Sequence, residues 1–259
     1  RDQGKSLQLS QILGNWGQFL PVMSQPAGKG ATVDFQFRNG RRVQFEAHEI
    51  LIDKLLDDVT KYIASRPAQV DWEQTDVSQL GHRLVEMNQR QYQGREVAKW
   101  TQDLDPADGH FSKSLTITTP LQKAGAYLLT ATMDGGNVSH IVLWLDDTII
   151  VKKPVDGKAY YFIADARTGQ PIPNADVRLF GWRMVQVEGK NEFRMETKTF
   201  DVKADAEGQA SVPLEQMQDN RRGGYQWIVT ARTNEARLAY LGFSPVWGGR
   251  RYDEVYKQV

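Results

Sequence analysis

Hydrophobic and polar residues alternate with a period of two through most of this 259-residue chain, as they do in half-buried β-strands. The alternation is clearest from Val33 to Phe37, and it resumes at Val43 after Asn39-Gly40. Asn-Gly between two alternating runs is a strong signal for a two-residue hairpin turn. We therefore predict a β-hairpin over residues 32–50.

The period changes to that of a helix in the next segment. Apolar residues recur at every fourth position over about 49–65 and charged residues occupy the other face, which predicts an amphipathic helix. Its apolar stripe is Leu51, Leu55, Val59 and Ile63. A second helix is predicted over about 76–90, after a Thr75-Asp76 cap. Its stripe is Val77, Leu80, Leu84 and Met87. Residues 1–30 fit a helical face only loosely, and we expect a helical turn over a sheet edge there.

Strand patterns separated by turn residues return after the helices and restart after Pro154–Lys158. Strand lengths and turn spacings of this kind are typical of immunoglobulin-like sandwiches. We predict a mainly β protein with two immunoglobulin-like β-sandwich domains in tandem, the first with an α-helical insertion. The predicted domains are 1–154, which contains both helices, and 155–250. Residues 251–259 are predicted to link to a following domain.

Composition and charge exclude several classes of function. Lys plus Arg equals Asp plus Glu at 32 each, so no net field favours nucleic acid or an anionic membrane. The absence of cysteine excludes disulfides, thiolate zinc sites and thiol catalysis. No apolar run approaches the roughly 20 residues of a membrane-spanning helix. The chain begins at Arg1 without an initiator Met or a signal peptide, and we expect it to be a piece of something longer.

Candidate metal ligands have ordinary alternatives. Asp103, Asp105 and Asp108-Gly109 offer carboxylate oxygens, but their spacing does not match the twelve-residue calcium loop, which favours a turn with solvated carboxylates. Four histidines are scattered without a His-x-x-x-His pair. They are His48, His82, His110 and His140. We predict no metal or cofactor-binding residues.

Other features that suggest chemistry are also better explained by structure. Trp182-Arg183 could form a basic aromatic surface with arginines from elsewhere in the chain, but the balanced charge favours solvated faces. Those arginines are Arg221, Arg222, Arg250 and Arg251, with Tyr252 beside them. Asn137-Val138-Ser139 spells a glycosylation sequon, which matters only in a eukaryotic secreted protein. Tyr127 is expected to pack in the core, and Ser112 and Ser114 lack the Gly-x-Ser-x-Gly elbow of hydrolases. We predict no catalytic residues and no enzyme.

One stretch organises the second half of the chain. Tyr160–Ile163 is a β-favouring run, Asp165-Ala-Arg-Thr-Gly169 is a turn with a glycine available for positive φ, and Pro171 keeps the chain extended before Val177. The stretch resembles the opening of a macroglobulin domain, where a Thr-Gly-x-Pro corner is followed by an Asp-x-x-Gly hairpin. That hairpin motif stands here within Thr199–Gly208.

Two further segments, Pro120–Tyr127 and Val142–Lys153, extend the resemblance to the bacterial branch of the alpha-2-macroglobulin family. Members are large multidomain protease traps, and many capture the protease through a Cys-Gln thioester. The resemblance implies a non-catalytic scaffold fragment of a periplasmic or secreted protease inhibitor, because this chain has neither the thioester sequence nor a recognisable bait segment. Its implied partners are neighbouring domains of the same chain and, through the full-length protein, target proteases; it implies no nucleic acid and no direct membrane insertion.

Two other classes of function stay open at this level. The chain could be an adhesin or carbohydrate-binding β-sandwich module of a cell-surface protein, or an accessory domain of an enzyme. The helical insertion and the absence of a fixed-period repeat favour the protease-inhibitor scaffold, since adhesin modules are usually plain sandwiches repeated along the chain.

Overall fold

The computed structural model describes residues 12–67, 70–75, 80–187, 193–217 and 224–245. These residues are mainly β, and they divide into two compact units. The first unit comprises residues 1–52 and 79–146, and the second comprises 53–78 and 147–259.

The first unit is a sandwich of a three-stranded sheet, ordered β1-β3-β6, and a five-stranded sheet, ordered β2-β8-β7-β4-β5. All pairs are antiparallel except β2 with β8. Its strands are β1 Trp16–Phe19, β2 Gln25–Pro26, β3 Thr32–Arg38, β4 Arg42–Ile50, β5 Gln93–Asp103, β6 Lys113–Thr118, β7 Gly125–Met133 and β8 Val138–Asp146. Between the sheets, the Phe35 ring meets the Phe19 and Phe45 rings edge-on with centroids 5.5 Å apart, in an apolar core that also holds Leu129 and Leu143.

The predicted hairpin over residues 32–50 is wrong in its pairing, although both strands are present. β3 pairs with β1 and β6, whereas β4 pairs with β5 and β7, so the chain crosses from one sheet to the other at Asn39-Gly40. Asn39 takes the positive φ (62°) that this residue type tolerates. The alternation shows which face of each strand is buried, and here both apolar faces meet in one core rather than lying side by side in one sheet.

The second unit is a sandwich of a three-stranded sheet, ordered β13-β10-β9, and a four-stranded sheet, ordered β12-β11-β14-β15. Its strands are β9 Thr148–Val155, β10 Lys158–Asp165, β11 Asp176–Gln186, β12 Phe193–Lys203, β13 Gln209–Pro213, β14 Gln226–Arg232 and β15 Leu238–Pro245. Tyr161, Ile163, Leu179, Trp227 and Val229 are fully buried in its core. The prediction of a mainly β protein built from sandwiches is confirmed.

Helical segments lie between β4 and β5 and after β13. They are α1 Ile52–Ala64, α2 Trp72–Thr75, α3 Leu80–Val85 and α4 Leu214–Met217, with 3₁₀ turns at Arg90–Tyr92 and Asp108–His110. Leu55, Val59 and Ile63 are buried as predicted, but Leu51 is 39% exposed because it precedes the first turn of α1. The second helix ends at Val85, short of the predicted residue 90. Asn88 has a positive φ (52°), which ends the helical conformation. Val77 lies outside the described residues.

Two further expectations concern the start of the chain and the boundary between the domains. Of the residues 1–30 for which a helical turn was expected, Trp16–Phe19 is a strand paired with Phe35–Arg38, and residues 1–11 lie outside the described residues. β9 pairs along its whole length with β10 and lies in the second unit, which resumes at Asp147, while the predicted domain boundary at 154/155 stays a prediction. Whether each half folds as an independent domain stays a prediction, and the predicted linker 251–259 lies outside the described residues.

Candidate functional site

The acidic turn after β5 uses its carboxylates in ion pairs. Asp103 Oδ1 accepts a hydrogen bond from Arg42 Nε at 3.0 Å, and Asp105 Oδ2 accepts one from Lys113 Nζ at 2.8 Å. The Lys113 bond also lowers the pKa of Asp105. Within the described part of the chain, no group of three or more His, Asp or Glu side chains could hold a metal ion. These acids therefore act as surface polar contacts.

The basic aromatic cluster centres on a buried ion pair. Arg183 is 5% exposed, and its Nε and Nη2 donate to Glu196 Oε2 at 3.1 and 2.7 Å. Its guanidinium lies over the Tyr225 ring, 4.6 Å from the centroid. Arg183 and Arg194 hydrogen bonds lower the pKa of Glu196. The structure thus makes Arg183 a packing residue rather than part of an exposed basic surface. The other arginines considered with it lie outside the described residues.

The Asn137 and Ser139 side chains of the Asn137-Val138-Ser139 sequon make hydrogen bonds to the backbone of β1. Asn137 Oδ1 accepts a hydrogen bond from Gly17 N at 2.8 Å, while Asn137 Nδ2 donates to Gly17 O at 2.9 Å. Ser139 Oγ accepts from Phe19 N at 3.2 Å. These side chains replace the backbone partners that β1 lacks along its β8 side. Tyr127 is buried as expected, and its hydroxyl donates to Lys123 O.

The carboxylate of Asp165 holds its corner together through hydrogen bonds to both of its oxygens. Asp165 Oδ1 accepts from Arg167 N, Thr168 N and Thr168 Oγ1, each at 3.0 Å, and Asp165 Oδ2 accepts from Arg237 Nη1 at 2.9 Å. These bonds, led by that from Arg237, lower the pKa of Asp165 to about 2. Gly169 has the positive φ (69°) that the sequence predicted.

The two motifs of the second unit meet at this corner. Ile163 N donates to Gly208 O at 2.8 Å, and Ile172 N donates to Ile163 O at 2.9 Å. Gly208 has a φ of 72°, and a Cβ there would lie 2.6 Å from Ile163 O. Asp205 Oδ1 caps the hairpin by accepting from Gln209 N at 2.8 Å. The corner and the hairpin therefore form one close-packed backbone junction.

An open depression of about 680 Å³ lies on the outward face of the five-stranded sheet in the first unit. Strand register brings Glu46, Thr130 and His140 into one row across β4, β7 and β8. Among the residues that line it are also His48, Leu84, Asn88, Arg90, Glu96 and Leu128. This gathering of two histidines was not foreseen from the sequence. The sequence carries one sign of it: His48 and His140 each fall at a position of their strand's alternation that faces away from the core.

Most of the side chains that line this depression are polar or charged. Glu46 Oε1 accepts from Lys99 Nζ at 2.6 Å and from Gln44 Nε2 at 2.8 Å, and the Lys99 bond lowers its pKa. Burial lowers the pKa of His140, whose Nδ1 lies 3.0 Å from Thr130 Oγ1. Burial therefore favours the neutral form of the His140 imidazole. This arrangement can hydrogen-bond a polar surface, and Thr130 with His140 is its one hydroxyl–imidazole pair among the described lining residues.

The described residues define a protein of two β-sandwiches that follow one another along the chain. No family model and no curated protein matches the chain. Native alpha-2-macroglobulin of Escherichia coli, in a crystal structure spanning domains NIE-MG1, matches with a TM-score of 0.53 and 15% identity, covering 89% of this chain and 97% of that one. A second crystal structure of that protein, spanning MG0-NIE-MG1, matches with a TM-score of 0.53 and 14% identity, covering 89% of this chain and 64% of that one. The chain therefore has the fold of these bacterial alpha-2-macroglobulin domains.

Proposed function

We propose that this chain is a non-catalytic scaffold segment of a bacterial alpha-2-macroglobulin-like protease inhibitor. The observation that carries the proposal is the agreement in fold over 89% of this chain and 97% of the NIE-MG1 structure. The matched share of this chain, 89%, is larger than either of the two units alone. The junction of the Thr-Gly-x-Pro corner with the Asp-x-x-Gly hairpin supports the same assignment, since it joins the residues that carry the sequence resemblance.

The proposal gives the chain a mechanical role rather than a chemical one. Its partners are the neighbouring domains of the same polypeptide, and target proteases are met through the full-length protein. The proposed location is the periplasm or cell envelope. The structure contains, within its described residues, no helix long and apolar enough to cross a membrane.

A protease-shielding assay tests the proposal. The full-length protein that contains this segment should slow the cleavage of a large substrate such as casein by trypsin or elastase, while leaving cleavage of a small chromogenic peptide intact. The isolated 259-residue chain should change neither rate. Stoichiometric protection of casein by the isolated chain would contradict the scaffold role. A full-length protein that shields nothing would contradict the inhibitor assignment and favour an adhesin.

Matched variants connect the assay to this segment. Trp227→Ala removes a fully buried ring from the second core and should abolish shielding by the full-length protein. Met23→Ala changes a side chain that is 86% exposed and should leave shielding intact. Equal shielding by both variants would show that this segment does not support the trap.

A further inference from the structure

Part of the four-stranded sheet of the second unit is buried on both faces. Leu179 and Val229 face the sandwich core. Phe180, Trp182 and Ile228 lie on the opposite face, yet they are only 8%, 2% and 2% exposed. An apolar sheet face of this kind needs a cover, because large side chains on an outer face otherwise remain in contact with water.

Helix α1 has the properties of that cover. Its apolar stripe is buried, at 1% exposure or less for Leu55, Val59 and Ile63. Asp53 in its first turn accepts an ion-paired hydrogen bond from Arg232 Nη2 at 2.5 Å, and Arg232 lies on the same outward face as Ile228. A side chain of the helix is thus fixed to the sheet face that the stripe must cover.

A second acidic residue of α1 lies near another arginine on the same sheet face. Asp57 lies one turn after Asp53, and its charge contributes to raising the pKa of Arg178, an effect that is due mainly to Asp201. Arg178 is on β11 and Arg232 is on β14, both on the outward face. The helix therefore approaches two neighbouring strands of this sheet.

The covering helix comes from a distant part of the chain. It lies between β4 and β5, which pair with each other in the first unit, whereas residues 53–78 belong to the second unit. We propose that α1 is a strap: the outward face of the second unit's sheet is a docking surface for an amphipathic helix, and the connection between β4 and β5 supplies that helix. The second unit then reaches its native stability only with residues from the insertion. This inference is independent of the protease-inhibitor proposal.

Hydrogen exchange of the full chain tests the strap from the helix side. The variant Leu55→Ala/Val59→Ala keeps helix-forming residues but removes the apolar contacts, and Lys61→Ala on the exposed face is the matched control. In the double variant, amides of β11 and β14 should exchange at least tenfold faster, while those of β7 and β8 keep their rates. The control should change each of these rates less than twofold. Unchanged β11 and β14, or an equal loss in β7 and β8, would overturn the proposal.

A reciprocal variant applies if the double variant does not fold. Arg232→Gln acts from the sheet side and removes only the ion pair with Asp53. It should speed exchange of the first hydrogen-bonded amides of α1, those of residues 56–59, about two- to fivefold, the factor expected for losing one exposed ion pair. Unchanged exchange in α1 would show that the helix is not held by this sheet face.

Discussion

Asn137 offers the sharpest test of how the first sandwich closes along β1. Its side-chain amide exchanges two hydrogen bonds with the backbone of Gly17, as a neighbouring strand would. The substitution Asn137→Ala removes both bonds and leaves the N–H and C=O of Gly17 without these partners in a part-buried setting. Each net hydrogen bond contributes about 0.5–1.5 kcal/mol, so the variant should lose about 1–3 kcal/mol of unfolding free energy.

Urea unfolding gives the loss in stability, and NMR hydrogen exchange locates it. We expect the Gly17 amide to lose protection in Asn137→Ala, and the Phe19 amide to lose protection in Ser139→Ala. Asn234→Ala, in an exposed turn, is the matched control and should stay within about 0.5 kcal/mol of the parent. A normal midpoint and normal Gly17 exchange in Asn137→Ala would refute the idea that this amide substitutes for a strand.

The remaining predictions concern the corner of the second unit. Gly169→Val should lower stability by about 1 kcal/mol through backbone strain alone, since its added Cβ meets open space. Gly208→Ala should cost clearly more, because the added Cβ also collides with Ile163 O; thermal melts compare the two, and equal melting temperatures would contradict this reasoning. The pKa of Asp165 is lowered to about 2 from an unfolded value of about 3.9, so its stabilisation is complete above that value and is lost as the pH falls through about 2. The difference in unfolding midpoint between parent and Asp165→Asn should therefore shrink from pH 5 to pH 2. A constant difference would contradict stabilisation by the ionised Asp165 carboxylate.

Local sequence determined the buried face of β3, β4 and α1. Period-two alternation marked the buried faces of β3 and β4, and a period near four marked the buried stripe of α1, because each backbone geometry fixes which side chains share a face. The glycine at residue 169 was predictable for a similar reason, since a turn there requires positive φ.

Only the tertiary structure decided how these elements pair. Alternation is the same whether two strands lie side by side or face each other across a core, so β3 and β4 were predicted to pair but lie in different sheets. Long-range register, not local spacing, brought His48 and His140 to one depression and assigned Asn137 to the backbone of Gly17. The covering role of α1 likewise depends on an apolar face of β11 and β14, more than a hundred residues away, which a helix period cannot identify.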